Sequence, residues 1–201
     1  MGTAAGEGYW NHNTAYHPWV LGIAAKHRGH VLDVGCGDGL LAQRLAPVSN
    51  SVTAIEPDSA TLDRARQRLT DHGNVEVSHT SFETFDPGPR RFDLVTFVAS
   101  LHHMDLRSSL VRARNLLTPS GEIAVVGLSA NESALDWAWA VCCLPAVVVG
   151  SRLHRETPDV GVAIAEPRES LREIRSTAAE VLPGAVIRRK LYYRYLLRWS
   201  S

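Results

Sequence analysis

The sequence predicts an α/β fold: a mostly parallel sheet with helices on both faces and an antiparallel hairpin at its C-terminal edge. Three observations lead there. Short apolar runs alternate with helix-period patterns, the arrangement of successive βα units. The first strand-like run, residues 31–34 (VLDV), ends in three alternating glycines, Gly35, Gly37 and Gly39. The last run, residues 191–199, alternates at period two, with Leu191, Tyr193, Tyr195, Leu197 and Trp199 on one face and Arg194 and Arg198 on the other.

The elements between them follow in order. Residues 40–45 read as a helix that stops before Pro47, and residues 51–55 (SVTAI) as a second strand. Pro57 is expected to open the next helix at its first position, with Leu62, Ala65 and Leu69 as its apolar stripe. Residues 75–78 and 92–98 (FDLVTFV) are a third and a fourth strand. Residues 106–117 have a helical pattern, Thr118-Pro-Ser-Gly121 is a turn, and residues 122–128 (EIAVVGL) are a fifth strand. Residues 134–150 are the longest apolar stretch, interrupted by Asp136 and Pro145. The stretch falls short of the roughly 20 residues a membrane span needs and reads as a buried or lid helix. Residues 167–182 form a helix with Leu171, Ile174, Ala178 and Val181 on one side, ended by Pro183-Gly184. Residues 186–187 and 191–199 then make the closing hairpin.

At 201 residues the chain fits one domain. Its 21 Lys+Arg against 21 Asp+Glu give no basic excess of the kind that binding nucleic acid calls for. The balance is uneven, with net −4 over residues 1–150 and +4 over residues 151–201. Cys36, Cys142 and Cys143 are an odd count with two adjacent, so a disulfide framework is not expected, and a reducing, cytoplasmic setting is. The N-terminal stretch lacks the apolar region of a signal peptide. Cys142-Cys143 has no metal-ligand spacing, and no metal site is expected.

The glycine loop carries most of the functional information. Its spacing departs from the dinucleotide fingerprint, because position 40 is Leu where a third spaced glycine would stand. Asp33, two residues before Gly35, would repel a pyrophosphate and suits a cationic ligand. Glu56 ends the second strand about twenty residues on, where an acid can bind both ribose hydroxyls. With VLDVGCGDG followed in order by AIEPD, FDLVTFVASLHHM and LLTPSGEIAVV, residues 30–128 resemble class I S-adenosylmethionine-dependent methyltransferases, of the small type 11 or UbiE-like kind.

That resemblance implies a Rossmann-like seven-stranded sheet and one methyltransferase domain over residues 1–201. Its parts would be an N-terminal lid (1–29), a cofactor-binding core (30–128), an acceptor-side insertion (129–165), and the closing helix and edge hairpin (166–201). It also implies S-adenosyl-L-methionine as cofactor and S-adenosyl-L-homocysteine as product. Asp33, Gly35, Cys36, Gly37 and Gly39 would meet the methionine end, with Asp33 near the ammonium. Glu56 would hold the ribose, with Pro57 and Asp58 beside the adenosine. Ser81 and Phe82 stand where relatives often carry Asp and a small apolar residue, so Ser81 would accept without charge from the adenine amino group and Phe82 could cover the ring. Ala99 would lie beneath the reactive methyl, with residues 100–103 lining the exit.

A sulfonium methyl is already activated, so direct displacement needs alignment and exclusion of water more than a covalent nucleophile. A base helps where the acceptor is a hydroxyl or a protonated amine. The candidates for base or acceptor positioning are His102, His103, Tyr16 and His17, with His12 near them. His103 reads foremost as structural, His102 is balanced between the two readings, and residues 9–18 are balanced between a cofactor lid and ordinary packing. Trp137 and Trp139 could line an acceptor pocket or stabilise a positive group, though two residues apart they face different ways. Residues 134–150 could also pair two subunits. The late basic cluster, Arg188, Arg189, Lys190, Arg194 and Arg198, reads foremost as protection of an edge strand.

The expected partner is a small acceptor, an aromatic or heterocyclic hydroxyl, amine or carbon of secondary metabolism. A nucleic-acid methyltransferase is disfavoured because residues 98–101 read VASL, without the (Asn/Asp)-Pro-Pro-aromatic element. A non-catalytic cofactor-binding scaffold stays open as the alternative from another class.

Overall fold

The computed structural model describes residues 9–153, 166–191 and 193–201, apart from some side chains of the long fifth helix. Seven strands form one sheet in the order β3-β2-β1-β4-β5-β7-β6. β1 (His30–Val34), β2 (Ser51–Glu56), β3 (Val75–His79), β4 (Phe92–Val98) and β5 (Leu117–Leu128) run parallel. β7 (Arg194–Ser200) lies antiparallel between β5 and the edge strand β6 (Val186–Arg189). The architecture is the Rossmann-like sheet with an antiparallel C-terminal hairpin.

Strand alternation builds two cores. Leu32, Val34, Ile55, Val95, Phe97, Ile123, Val125 and Leu197 face α4 (Leu106–Asn115) and α6 (Leu171–Val181). Val31, Val52, Ala54, Leu94, Ala124, Val126 and Leu196 face α1 (His17–His27), α2 (Leu40–Leu45) and α3 (Ser59–Leu69). Strands covered on both sides read as continuous apolar runs, which is why VLDV and FDLVTFV stand out. Asp33 and Thr96 are polar interruptions on the second face, and both belong to the site.

Several boundaries differ from the sequence reading. Pro57 does not open α3. Asp58 caps that helix, its side chain accepting from Thr61 N at 2.8 Å, and Pro57 precedes the cap. α6 begins at Leu171 because Ser170 and Glu173 close a capping box there. The 118–121 turn is a bulge within β5, between the pairs Phe92↔Leu117 and Leu94↔Glu122. Leu191 and Tyr193 are exposed and precede β7, so only Tyr195, Leu197 and Trp199 keep the expected buried face. Arg194 is buried rather than solvated, because the N-terminal segment packs over its face and Asn13 Oδ1 accepts from its Nε and Nη2 at 2.9 and 2.8 Å. Arg198 is paired with Glu122.

α5 (Ala134–Leu153) is one helix with Pro145 inside it. Val141, Leu144, Val149 and Leu153 on it are exposed. Among the described residues, no helix is long and apolar enough to cross a membrane.

Candidate active site

The strand order reverses between β1 and β4, since β2 and β3 extend the sheet on one side and β5 on the other. Open α/β sheets bind ligands at such a switch point, beyond the carboxyl ends of the strands. A cavity of about 100 Å³ lies there, bounded by Asp33, Gly35, Gly37, Val98 and Ala99 from the sheet side and by Tyr9, Asn13 and His17 from the N-terminal segment. A larger cavity of about 430 Å³, lined by His30, Ser51, Asn74, Glu76 and Arg90, sits at the amino ends of the same strands, away from the glycine loop. The switch point and the loop place the site at the smaller one.

Backbone geometry explains the glycines. Gly35, Gly37 and Gly39 have φ of 67°, 57° and 81°, a region that costs other residues about 1–2 kcal/mol. A Cβ on Gly35 would stand 2.6 Å from Ser100 Cβ, so the loop abuts the turn after β4. Ser100 secures that contact by donating Oγ to the Val34 carbonyl at 2.6 Å. Gly39 caps α2 and packs against Ala65 and Leu69 of α3. Ala99 has φ of 54° and a backbone N–H bonded to the Val126 carbonyl at 2.8 Å. The reversal at Ala99 turns the chain away from the sheet at the cavity wall.

Two carboxylates govern the electrostatics. Asp33 is 1% exposed. Thr96 Oγ1 donates to its Oδ1 at 2.9 Å, while Oδ2 is buried with no hydrogen-bond partner among the described residues. Burial drives its carboxyl up to about 7, against the Thr96 hydrogen bond and with help from the charge of Glu56. A buried carboxylate with an open oxygen calls for a cation. Glu56 accepts from Gly37 N at 3.0 Å and from Asp58 N at 3.1 Å, one bond to each oxygen. A carboxylate has about four acceptor positions, so capacity remains for a pair of hydroxyls. The Cys36 thiol is raised by burial and by Asp33 and Glu56, which makes it a poor nucleophile.

The N-terminal segment lies across the loop and is tied on three sides. Tyr9 Oη donates to Asp38 Oδ1 at 3.2 Å, and Arg68 of α3 holds the same carboxylate at 2.9 Å. Asn13 meets Arg194 of β7. His12 Nε2 lies 3.1 Å from Ser151 Oγ of α5. Asn11 Oδ1 accepts from the N–H groups of Asn13 and Thr14 and fixes the turn that leads into α1.

Of the candidates read from sequence, Asp33, Gly35, Cys36, Gly37, Ala99 and His17 line the cavity. Glu56 adjoins it through Gly37. Pro57 is exposed, and its carbonyl lies 2.9 Å from His79 Nε2. Ser81 Oγ is 3.1 Å from Thr84 Oγ1. Phe82 is 2% exposed and packs edge-on to Phe97, so its ring belongs to the core. His102 is buried and His103 exposed, their rings 4.2 Å apart on the turn after β4, outside the cavity lining. Tyr16 also lies outside that lining, and burial raises its phenol. Trp139 is partly exposed beneath Arg189, and the Trp137 side chain lies outside the described residues. So do residues 154–165 of the insertion. Tyr9 and Asn13 belong to the 9–18 segment expected as lid or packing, and both line the cavity. Asp38, Arg44 and Thr96 were not legible as site residues, because their partners Tyr9, His17 and Asp33 lie far away in sequence.

Comparison with known proteins agrees with this geometry. A family model described as a methyltransferase domain matches residues 31–121. An uncharacterized methyltransferase of Mycobacterium tuberculosis is 36% identical over 193 residues, covering 96% of this chain and 97% of that protein. A ubiquinone biosynthesis O-methyltransferase of Pseudomonas fluorescens is 30% identical over 65% of this chain and 62% of its own length. In fold, the chain is similar to the N-methyltransferase NodS of Bradyrhizobium japonicum in complex with S-adenosyl-L-homocysteine. The TM-score is 0.62 at 19% identity, covering 95% of this chain and 88% of that one. The chain belongs to the class I S-adenosylmethionine-dependent methyltransferases.

Proposed function

We propose that the protein transfers a methyl group from S-adenosylmethionine to a small-molecule acceptor at oxygen, nitrogen or carbon by direct displacement. The observation that carries the cofactor is the open, buried Oδ2 of Asp33 beside the glycine loop. It fits the ammonium of the methionine end, and Glu56 fits the ribose hydroxyls. When bound, the cofactor supplies a methyl group already activated by its sulfonium.

The residues of this chain supply placement. Gly35 and Gly37 let the ligand lie against bare backbone. The Ala99 reversal shapes the wall at the end of β4. The tied N-terminal segment covers the loop and keeps water out. His17 is held near 3 by burial and by Arg44, too weak a base to take an acceptor proton at neutral pH. His102 and His103, beyond the cavity, stay as candidates for deprotonating an acceptor that needs it.

The wall the N-terminal segment adds to the cavity is modest, which favours a small acceptor over a macromolecule. The name of the Pseudomonas relative, an O-methyltransferase of ubiquinone biosynthesis, is in keeping with this. The exposed apolar side chains of α5 support pairing of two copies through that helix. Tritiated S-adenosylmethionine incubated with the protein and a low-molecular-weight metabolite extract, with RNA and protein fractions in parallel, tests the acceptor class. Label is expected in the small-molecule fraction. Label in RNA or protein instead would contradict the reading.

A further inference from the structure

Asp33 shares its cavity with a second polar group that waits for a partner, and the two are opposite in kind. His17 is 4% exposed and lines the same space. Arg44 Nη1 of α2 lies 3.1 Å from His17 Nδ1. A guanidinium only donates, so Nδ1 must be the acceptor and carry no proton. The ring is neutral, because burial first and the Arg44 cation second push it down to about 3. Its proton therefore sits on Nε2, as a donor polarised by the cation behind it. Among the described residues, Arg44 is the ring's only hydrogen-bond partner.

Asp33, with an unpartnered carboxylate oxygen, and His17, with a cation-backed N–H, thus line one cavity. An α-amino acid carries an ammonium and a carboxylate on one carbon. The two open groups match both charges.

We propose that His17 donates Nε2–H to the α-carboxylate at the methionine end of the cofactor, with Arg44 as a positioning residue that fixes the tautomer, while Asp33 takes the ammonium. His17 is then a specificity residue for the methyl donor and not a base for the acceptor. The inference rests on the cofactor reading above.

Calorimetric titration with two ligands tests it. One is S-adenosylhomocysteine. The other is its analogue lacking only the α-carboxylate. The wild type should bind the full ligand at least tenfold tighter than the analogue. His17→Phe and Arg44→Met should each weaken the full ligand about tenfold and leave the analogue within twofold, since the carboxylate contact is already missing there. His17→Gln, which can still donate from a nearby position, and Arg44→Lys, which keeps a cationic donor, should recover most of the loss. Thermal melting of the four variants separates loss of the contact from loss of the fold, and His17→Gln and Arg44→Lys keep the test usable if the larger changes do not fold. Equal weakening of both ligands in the variants, or an undiminished affinity for the full ligand, would overturn the assignment. Failure of the cofactor reading shows separately, as a wild type that binds neither ligand.

Discussion

Thr96 on β4 donates its hydroxyl to Asp33 Oδ1 on β1 at 2.9 Å, and the other oxygen of that buried carboxylate points to no partner among the described residues. The pair sits across the two strands that flank the switch point. One hydrogen bond orients the carboxylate, and the rest of its demand is left for a ligand.

Binding of a ligand ammonium should therefore follow the ionisation of Asp33. Burial holds that carboxyl up to about 7, so it is mostly neutral at pH 6 and mostly ionised at pH 8. Affinity for S-adenosylhomocysteine should rise about tenfold over that interval. Asp33→Asn should bind weakly and with a flat profile. Titrations at several pH values check this, and a wild-type profile as flat as the variant's would remove Asp33 from the contact.

Glu56 holds Gly37 N and Asp58 N as well as its proposed ribose contact. Hydrogen bonds to a charged group are worth about 1.5–3 kcal/mol. Glu56→Ala should weaken S-adenosylhomocysteine about 10- to 100-fold. Calorimetry with a melting curve of the variant measures the effect, and unchanged affinity would mean that the ribose lies elsewhere.

Gly35 faces Ser100 so closely that a methyl group has no room, and its φ is 67°. Gly35→Ala should cost about 2–4 kcal/mol of stability, from left-handed strain and overpacking together. Gly73→Ala, where nothing lies within 4 Å, should change stability by less than about 0.5 kcal/mol. Denaturant unfolding of the two variants compares them.

His17 gives stability a pH dependence of known sign. Its imidazole titrates near 3 in the fold, against 6.5 for a free one. Between those values the unfolded chain binds the extra proton, so the stability tied to a neutral His17 is present above 6.5 and lost as pH falls. Asp33 acts oppositely: its raised carboxyl stabilises the fold at low pH and loses that contribution as pH rises towards about 7. The unfolding free energy of wild type minus that of His17→Gln cancels the Asp33 part. That difference should grow with pH from 4 to 6.5, by up to about 1.4 kcal/mol per unit. Urea unfolding across that range reads it, and a constant difference would contradict a buried neutral imidazole.

How much of this was legible in the sequence depended on how local each signal is. The strands could be read because buried strands write continuous apolar runs, and the loop because Gly35, Gly37 and Gly39 follow one strand and open one helix. Asp33 and Glu56 stood out as acids at strand ends. Arg44 was hidden because its partner His17 lies 27 positions away, and Arg194 because Asn13 is 181 positions away. Period two put Arg194 on the face away from Tyr195 and Leu197, which is correct, but it could not show that the N-terminal segment would cover that face. The start of α6 was available in principle, since Ser170 and Glu173 have the spacing of a capping box. Phe82 illustrates the opposite case: an aromatic beside a ligand loop invites a stacking role, yet its burial against Phe97 serves the core.

The switch-point site is expected to take S-adenosylmethionine and not a dinucleotide. Isothermal titration of the wild-type protein with S-adenosylhomocysteine and, separately, with NAD tests this. Saturable one-to-one binding of S-adenosylhomocysteine with no heat from NAD is the predicted result, whereas binding of NAD with S-adenosylhomocysteine silent would contradict it.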